Sequence, residues 1–334
     1  MNNIKTTTCS LCNHEAICTY SGLHGYIEGK TYDVYECTFC KASFCPPLVI
    51  DENLYDILYK QGKRAPGYAR YYRYAELAES SKDPLTVLSN QDGIYWSVRE
   101  ALMKLGGLPK KDTRVLEVGC GLGYLTYALR MSGYVQAFGT DISTHSVEEA
   151  KKRFGDFYFQ GDIFTLSNTE TEKYNIIIMT ELIEHIPDPR AFLEAVKKQL
   201  APGGKIIITT PNKDHAPAGM FWQSDAPPVH LWWIGKKGME VLAGTLSMSC
   251  SFVDYLPFMQ KFYFPMGLTK MEEFQSGFPR LKEDGTNLTP SPEQNLKSKL
   301  FSAKMRYWLS YVRRRCKAKR TDVEFSTVTA VFSL

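Results

Sequence analysis

Cysteine, glycine and acidic residues stand at three sets of spacings in this chain that could do chemistry. Cys9-x-x-Cys12 and Cys37-x-x-Cys40 are separated by 24 residues. Each pair puts two thiols at the tip of a tight turn. Two such knuckles meeting face to face make a closed tetrahedral zinc site, with no position left for water or substrate. The expected task of that metal is to hold a small domain together. Glu117-Val118-Gly119-Cys120-Gly121-Leu122-Gly123 ends a short apolar run and opens a helical pattern. It reads as a buried strand breaking into a glycine turn, where missing Cβ atoms let a ligand approach the backbone. Its spacing, acidic-x-G-x-G-x-G, differs from the G-x-G-x-x-G of a dinucleotide turn. Glu181-x-x-Glu184-His185 sets two carboxylates and an imidazole at helical offsets, a combination suited to proton transfer or to a divalent cation. His230 is a later residue able to join them, and His215 is a further base on the same side.

Such residues need a sheet to position them. Strand-like runs at 114–118, 135–139, 157–159, 174–179 and 205–210 alternate with helical patterns, which implies an α/β fold with a doubly wound, mostly parallel sheet. Ligands in such sheets bind beyond the carboxyl ends of the strands, and that edge collects Glu117, Asp141, Asp162 and Glu181. Five segments follow from the pattern: 1–48, a zinc-ribbon-like domain; 49–110, a linker with helices, among them 68–80 and 92–105; 111–256, a Rossmann-like core; 257–323, an insertion; and 324–334, a terminal strand. A sixth core strand is expected over 250–256. The helix at 68–80 crowds Tyr68, Tyr71, Tyr72 and Tyr74 around Arg70 and Arg73, and reads equally as a lid or as a packing helix. The insertion closes with a helical pattern over 292–315 and the basic cluster Arg313, Arg314, Arg315, Lys317, Lys319 and Arg320. That cluster is expected to be a solvated face, with peripheral contact to anionic lipid, or docking of a phosphorylated carrier, through 308–320 as its alternative.

Composition narrows the function classes. The chain has 334 residues, 44% of them hydrophobic, and a net charge of +4. This fits a globular protein with a full core and lacks the dense positive charge of a dedicated nucleic-acid binder. No run approaches the roughly 18 apolar residues of a membrane span. Residues 1–8 are polar, without the apolar stretch of an export signal, so the expected location is cytoplasmic and the paired cysteines are expected to bind metal rather than each other.

The glycine motif with its following segments resembles the class I methyltransferases dependent on S-adenosylmethionine. The resemblance runs from Glu117 to Asn212, in order and spacing. It implies a seven-stranded sheet whose last strand, 324–334, inserts antiparallel. It also implies that Glu117, Gly119, Cys120, Gly121 and Gly123 cup the cofactor, that Asp141 and Ile142 take the ribose, and that Asp162 and Ile163 take the adenine edge. Thr180 and Glu181 would complete the pocket. Asn175 stands where such enzymes often carry an acid. His185, Glu184 and His230 are the expected catalytic residues on the acceptor side. The Glu181-x-x-Glu184-His185 string also resembles the magnesium motif of small-RNA 2′-O-methyltransferases and ubiquinone-pathway O-methyltransferases; the metal-free reading is preferred and magnesium is the alternative. The ribbon followed by this fold resembles sugar, polysaccharide and natural-product methyltransferases. The expected reaction is methyl transfer to an oxygen or carbon of a small molecule or saccharide, free or linked to a carrier or nucleotide. DNA is excluded by the lack of an Asn-Pro-Pro-aromatic string that would grip a flipped base, and RNA is disfavoured. The alternatives are a metal-assisted RNA 2′-O-methyltransferase, or a non-catalytic RNA- or protein-binding module on the same scaffold.

Overall fold

The computed structural model describes residues 5–51, 54–55, 57–58, 68–105, 109–168, 173–215, 220–222, 226–262, 268–270, 281–286 and 324–334. The basic segment 308–320 and most of the expected insertion lie outside them. Among the described residues no helix is long and apolar enough to cross a membrane.

Strands β1 (Thr6–Thr8), β2 (Glu15–His24), β3 (Thr31–Cys37) and β4 (Ser43–Phe44) form the N-terminal ribbon. The core sheet is built from β5 (Arg114–Val118), β6 (Gln136–Asp141), β7 (Tyr158–Gln160), β8 (Tyr174–Thr180) and β9 (Leu200–Pro211). Short strands β10 (Met220–Trp222) and β13 (Leu268–Lys270) pair with each other. Strand β11 is Trp232–Trp233, β12 is Ser249–Phe252 and β14 is Thr327–Ser333. The seven-stranded sheet runs β12-β14-β9-β8-β5-β6-β7. The five strands from β9 to β7 are parallel, while β14 is antiparallel to both neighbours. The order reverses between β5 and β8, and this opens a crevice at their carboxyl ends.

The central strands are apolar on both faces because each face is covered. Leu116, Val118, Ile177, Met179, Ile206 and Ile208 join one core cluster, and their alternates Val115, Ile176, Ile178 and Ile207 join the other, as the two-residue strand period requires. The second cluster is closed by α1 (Ala69–Glu79), α2 (Pro84–Gln91), α3 (Gly93–Leu105) and α4 (Tyr124–Met131). Helix α5 (Thr144–Phe154) adds Val147 and Ala150 to it. Beyond β7 comes the single turn α6 (Ile163–Leu166). The first cluster is covered by α7 (Pro189–Lys198) and α8 (Lys236–Thr245). Helix α7 starts where Asp188 Oδ1 accepts the Ala191 amide at 3.0 Å and Pro189 fixes the first turn.

Two features differ from the sequence reading. The sixth strand stops at Phe252 rather than 256, because Pro257 sits in the first turn of a helix, α9 (Leu256–Lys261), whose Leu256 amide bonds Asp254. The ribbon sheet has a fifth strand taken from the core: β4 pairs antiparallel with β11, Phe44 opposite Trp232 and Ser43 opposite Trp233. Cys9, Leu11, Cys37, Cys40, Ala42 and Phe44 share one core cluster with Trp232, Ile234 and Met239. Trp232 is fully buried, its ring 5.0 Å from that of Phe44, and its Nε1 donates to the Ile186 carbonyl at 3.0 Å. Trp232→Ala should therefore destabilise the protein by about 3–5 kcal/mol, measured as a lowered midpoint of urea unfolding.

Candidate active site

The turn after β5 is held by the sheet from which it emerges. The amides of Gly119 and Cys120 both donate to the Thr140 carbonyl, at 2.8 and 3.0 Å, and the Gly123 amide donates to Cys120 O at 2.8 Å. The Gly121 amide donates to Asp141 Oδ2 at 2.8 Å. Gly123 has φ +76°, and a Cβ there would lie 2.6 Å from the Tyr158 ring and 2.7 Å from Ala150 Cβ, so only glycine fits. At Gly121 a Cβ would meet nothing within 4 Å, which marks the open concave side of the turn. Four amides are thus spent inside the protein, whereas a pyrophosphate turn aims such groups at its ligand.

The start of α4, where an anion would otherwise sit, is filled by Glu117. Its Oε2 accepts both the Thr126 amide at 2.8 Å and the Thr126 hydroxyl at 2.5 Å. Glu117 therefore caps a helix from beneath, which differs from the direct place at the cofactor implied by the resemblance. Burial pushes its carboxyl up to about 8, against the opposing pull of Thr126. Cys120 is also buried, with its amide already committed, and it contributes shape.

Asp141 ends β6 at the rim. Besides Gly121, it accepts the Ser143 amide on Oδ1 at 2.9 Å. Burial raises its pKa, opposed by the Ser143, Gly121 and Ile142 amides. A carboxylate offers about four acceptor positions, so each oxygen keeps one for a diol. Next to it Ile142 is 63% exposed, and Phe164 beyond β7 is 43% exposed: two apolar walls suited to a flat base. Asp162 is exposed and caps α6 through Phe164 N at 3.2 Å. Ile163 buries its side chain in the core, so it can face a ligand only through its backbone.

Helix α1 packs on α4 through Tyr74, Ala75 and Ala78 and brings Arg70 toward the same crevice. Arg70 Nη2 donates to Tyr71 OH at 2.9 Å, and Tyr71, Asp92 and Glu181 together hold the guanidinium in its charged form. Tyr74 OH donates to Asp92 Oδ2 at 2.9 Å, and the hydroxyls of Tyr95 and Tyr124 bond each other. The sequence pattern put Arg70 among tyrosines without assigning it a role; the signal was a cation in the first turn of an otherwise aromatic helix.

On the other side of the loop, Leu182 stands 2.9 Å from where a Gly119 Cβ would be, and a 3-10 turn, Ile183–His185, follows. Glu184, His185 and His230 present ligand atoms within 4.8 Å of one another, and the two imidazole centroids are 4.6 Å apart. Thr210 Oγ1 donates to Glu184 Oε2 at 2.9 Å. His185 Nδ1 donates to the Val229 carbonyl at 2.5 Å, next to Tyr55 OH at 3.2 Å. This leaves Nε2 with its lone pair, 3.9 Å from Glu184 Oε1. Burial pulls His185 down to about 4, so the ring is neutral at pH 7. Glu181 does not join them, against the shared helical face expected from its spacing. It has φ +50° at the strand end and its Oε1 accepts Thr209 Oγ1 at 3.1 Å. A 3-10 turn three residues long cannot carry all three side chains on one α-helical face. His215 lies apart, with Nδ1 bonded to the Glu324 carbonyl.

The four ribbon thiols gather as their spacing predicts, all within 4.8 Å. The Cys9–Cys40 sulfur distance is 3.7 Å and that of Cys12–Cys37 is 3.4 Å. A tetrahedron with zinc–sulfur bonds of about 2.3 Å has edges of roughly 3.8 Å. The Phe39 and Cys40 amides both donate to Cys37 Sγ at 3.4 Å. Burial pushes Cys12 up to about 11, and the Cys9 thiol pushes Cys40 up as well, so four thiolates there need a cation. The donor set fits zinc.

Two cavities flank the core. One of about 270 Å³, lined by Asn212, Lys236, Tyr255 and Glu324, lies past the carboxyl end of β9. The larger, about 760 Å³, is lined by Arg99, Thr113, Asn175 and Lys205 at the amino ends of the strands, the wrong end for ligands of such a sheet. Asn175 works there structurally, its Oδ1 accepting the Arg114 amide at 2.8 Å.

Residues 95–244 match the family described as "Methyltransferase domain", and the sheet order and glycine loop are those that the resemblance to class I methyltransferases implies. Among curated proteins it is 35% identical to a ubiquinone biosynthesis O-methyltransferase of Idiomarina loihiensis over 106 residues, 30% of this chain and 43% of that protein. It is 27% identical to the protein of that name from Leptothrix cholodnii over 155 residues, 42% of this chain and 62% of that one. The chain thus spans about half the length of these relatives. Among solved structures, a SAM dependent methyltransferase from Archaeoglobus fulgidus superposes with a TM-score of 0.44 at 13% identity, covering 79% of this chain and 99% of that one.

Glu117 supplies a test of the local electrostatics. Its folded pKa lies above its unfolded value, so the stability it contributes is present below about pH 4.5 and falls as pH rises toward 8. Glu117→Gln removes that loss. The stability difference, variant minus wild type, should grow by a few kcal/mol between pH 5 and 8, read from urea melts at each pH.

Proposed function

We propose that the chain is an S-adenosylmethionine-dependent methyltransferase acting on an oxygen of a small-molecule or saccharide acceptor. The observation that carries this reading is the inward bonding of the loop amides, with Glu117 under α4. Among the described residues the crevice offers no cluster of donors for phosphates, yet it keeps a diol acceptor in Asp141 and apolar walls in Ile142 and Phe164. This is a seat for a nucleoside without phosphates. Arg70 supplies a cation for the carboxylate at the amino-acid end. The cofactor brings a methyl group on a positively charged sulfur, and the work of the chain is to align the acceptor for in-line displacement. Leu182 against Gly119 couples the cofactor loop to the turn that bears Glu184 and His185, which supports taking those residues and His230 as the acceptor side. The curated relatives named as O-methyltransferases support an oxygen acceptor.

Glu184, His185 and His230 favour a second reading of the same site, in which a divalent cation polarises the acceptor hydroxyl. Three electron-pair donors lie within 4.8 Å of one another, and the Val229 carbonyl, bonded to the Nδ1 side of the ring, fixes the His185 tautomer, as in imidazole–metal sites. This reading also admits an RNA 2′-hydroxyl as acceptor.

Calorimetry should show S-adenosylmethionine binding and no binding of a nicotinamide dinucleotide. Asp141→Ala should weaken S-adenosylmethionine binding by about 1.5–3 kcal/mol, roughly ten- to a hundredfold, the worth of hydrogen bonds to an ionised acceptor; unchanged affinity would remove Asp141 from the site. For the metal reading, manganese binding followed by electron paramagnetic resonance should disappear in His230→Ala and persist in Glu181→Gln. Equal spectra of wild type and His230→Ala would leave the metal-free form of the reaction.

A further inference from the structure

His230 belongs to a strap, residues 226–234, gripped from two sides. From the core, Leu231 N donates to Glu184 O at 2.9 Å, His185 Nδ1 bonds Val229 O, and Trp232 Nε1 bonds Ile186 O. From the ribbon, β4 pairs with β11, Cys45 N donates to Leu231 O at 3.1 Å, and Cys45 Sγ donates to His230 O at 3.5 Å. The β2–β3 hairpin adds a hydrogen bond from Tyr26 N to Pro227 O at 2.6 Å. Only two residues, Lys41 and Ala42, separate the last zinc-type cysteine from β4. Lys41 takes φ +60°, and its carbonyl, like the Glu36 carboxylate, is bound by Lys213 just past β9. The knuckle, β4 and the strap form one short mechanical path.

We propose that the cysteine ribbon is a positioning module for the acceptor side: the metal-bound knuckle fixes β4, β4 fixes β11, and β11 sets where His230 stands against His185 and Glu184. The functional half of this inference rests on those residues belonging to the acceptor side, as proposed above. Its structural half does not. A two-residue strand pair has little stability of its own, and a ribbon this small depends on its metal to fold, so the order of the strap follows the knuckle. Most of the cofactor loop packs apart from it, although Val118 and Ile163 belong to the cluster that the ribbon shares. Cys120, Tyr124, Leu125, Val147, Ala150 and Tyr158 pack in the cluster on the other face of the sheet, which contains no ribbon residue.

Hydrogen exchange on the full chain tests the path without using methyl transfer. Purified protein should carry about one zinc per chain. Stripping it with a chelator, or replacing Cys40→Ser, should speed exchange at the Cys45, Leu231 and Tyr26 amides by about tenfold or more, while the Gly123 and Tyr127 amides of the cofactor loop keep their protection. Phe44→Ala keeps all four thiols; it should keep its zinc and still loosen the strap. S-adenosylhomocysteine affinity should stay within about threefold of wild type in each case, because most of its seat packs in the other cluster. Strap amides equally protected with and without zinc would overturn the proposal. So would loss of protection at the cofactor loop in parallel with the strap, which would make the ribbon a support for the whole chain. Failure to bind S-adenosylhomocysteine with the strap effect intact would instead fault the proposed activity.

Discussion

One carbonyl group organises the carboxyl edge of the sheet. Thr140 O accepts two consecutive amides, Gly119 and Cys120, so the β5–β6 ladder continues past the last residue of β5 and bends the chain over its neighbour. That bend requires positive φ at Gly119, Gly121 and Gly123, which side chains resist. It aims the Gly121 amide at Asp141, and so couples the shape of the turn to the orientation of the acid. It also brings α4 to start directly above Glu117. Loop, acid and helix are one hydrogen-bonded object, and the open space over Gly121 is what remains once their donors are satisfied.

The side of the crevice proposed for the acceptor rests on a different principle. There the chain uses a strap bonded on both edges, with the turn after β8 on one side and the ribbon on the other. The two histidines that meet, His185 and His230, come from segments 45 residues apart in sequence. Their approach depends on the Leu231 amide bonding the Glu184 carbonyl and on the Val229 carbonyl accepting from the His185 ring itself. Buried backbone groups must be paired, and the strap meets that requirement by pairing with β4 on one side and bonding the turn after β8 on the other.

The glycine turn and the sheet around it were legible in the sequence because their determinants are local. Glycine spacing, the acid at the end of β6 and the apolar runs of β5, β8 and β9 each declare themselves within a few residues, and the cysteine pairs do the same for the ribbon. Three things were not legible. Trp232-Trp233 reads as aromatic, with nothing to say that it completes a distant ribbon sheet, because β pairing is set by long-range packing. Glu181 shares the spacing of Glu184 and His185, yet a left-handed residue and a three-residue 3-10 turn break the helical face which that spacing assumes. Glu117 looked like a ligand because it begins the motif, and its bond to Thr126 nine residues on becomes visible only once α4 folds back.

The placement of Glu117 bears on catalysis under the proposed function. Methyl transfer from a sulfonium removes the positive charge from sulfur as the bond breaks. A permanently ionised carboxylate beneath the loop would favour the charged reactant over a transition state that is losing that charge, and so raise the barrier. Burial resolves the conflict: with its pKa lifted to about 8, Glu117 carries its proton at neutral pH and still caps Thr126, while Asp141, at the rim, takes the hydrogen-bonding work that needs an acceptor. Two acids 24 residues apart in sequence thus divide shape from recognition. The division is set by depth, since the deeper group is neutral and the shallower one is held by the Gly121 amide of the glycine turn and the Ser143 amide beyond its own strand.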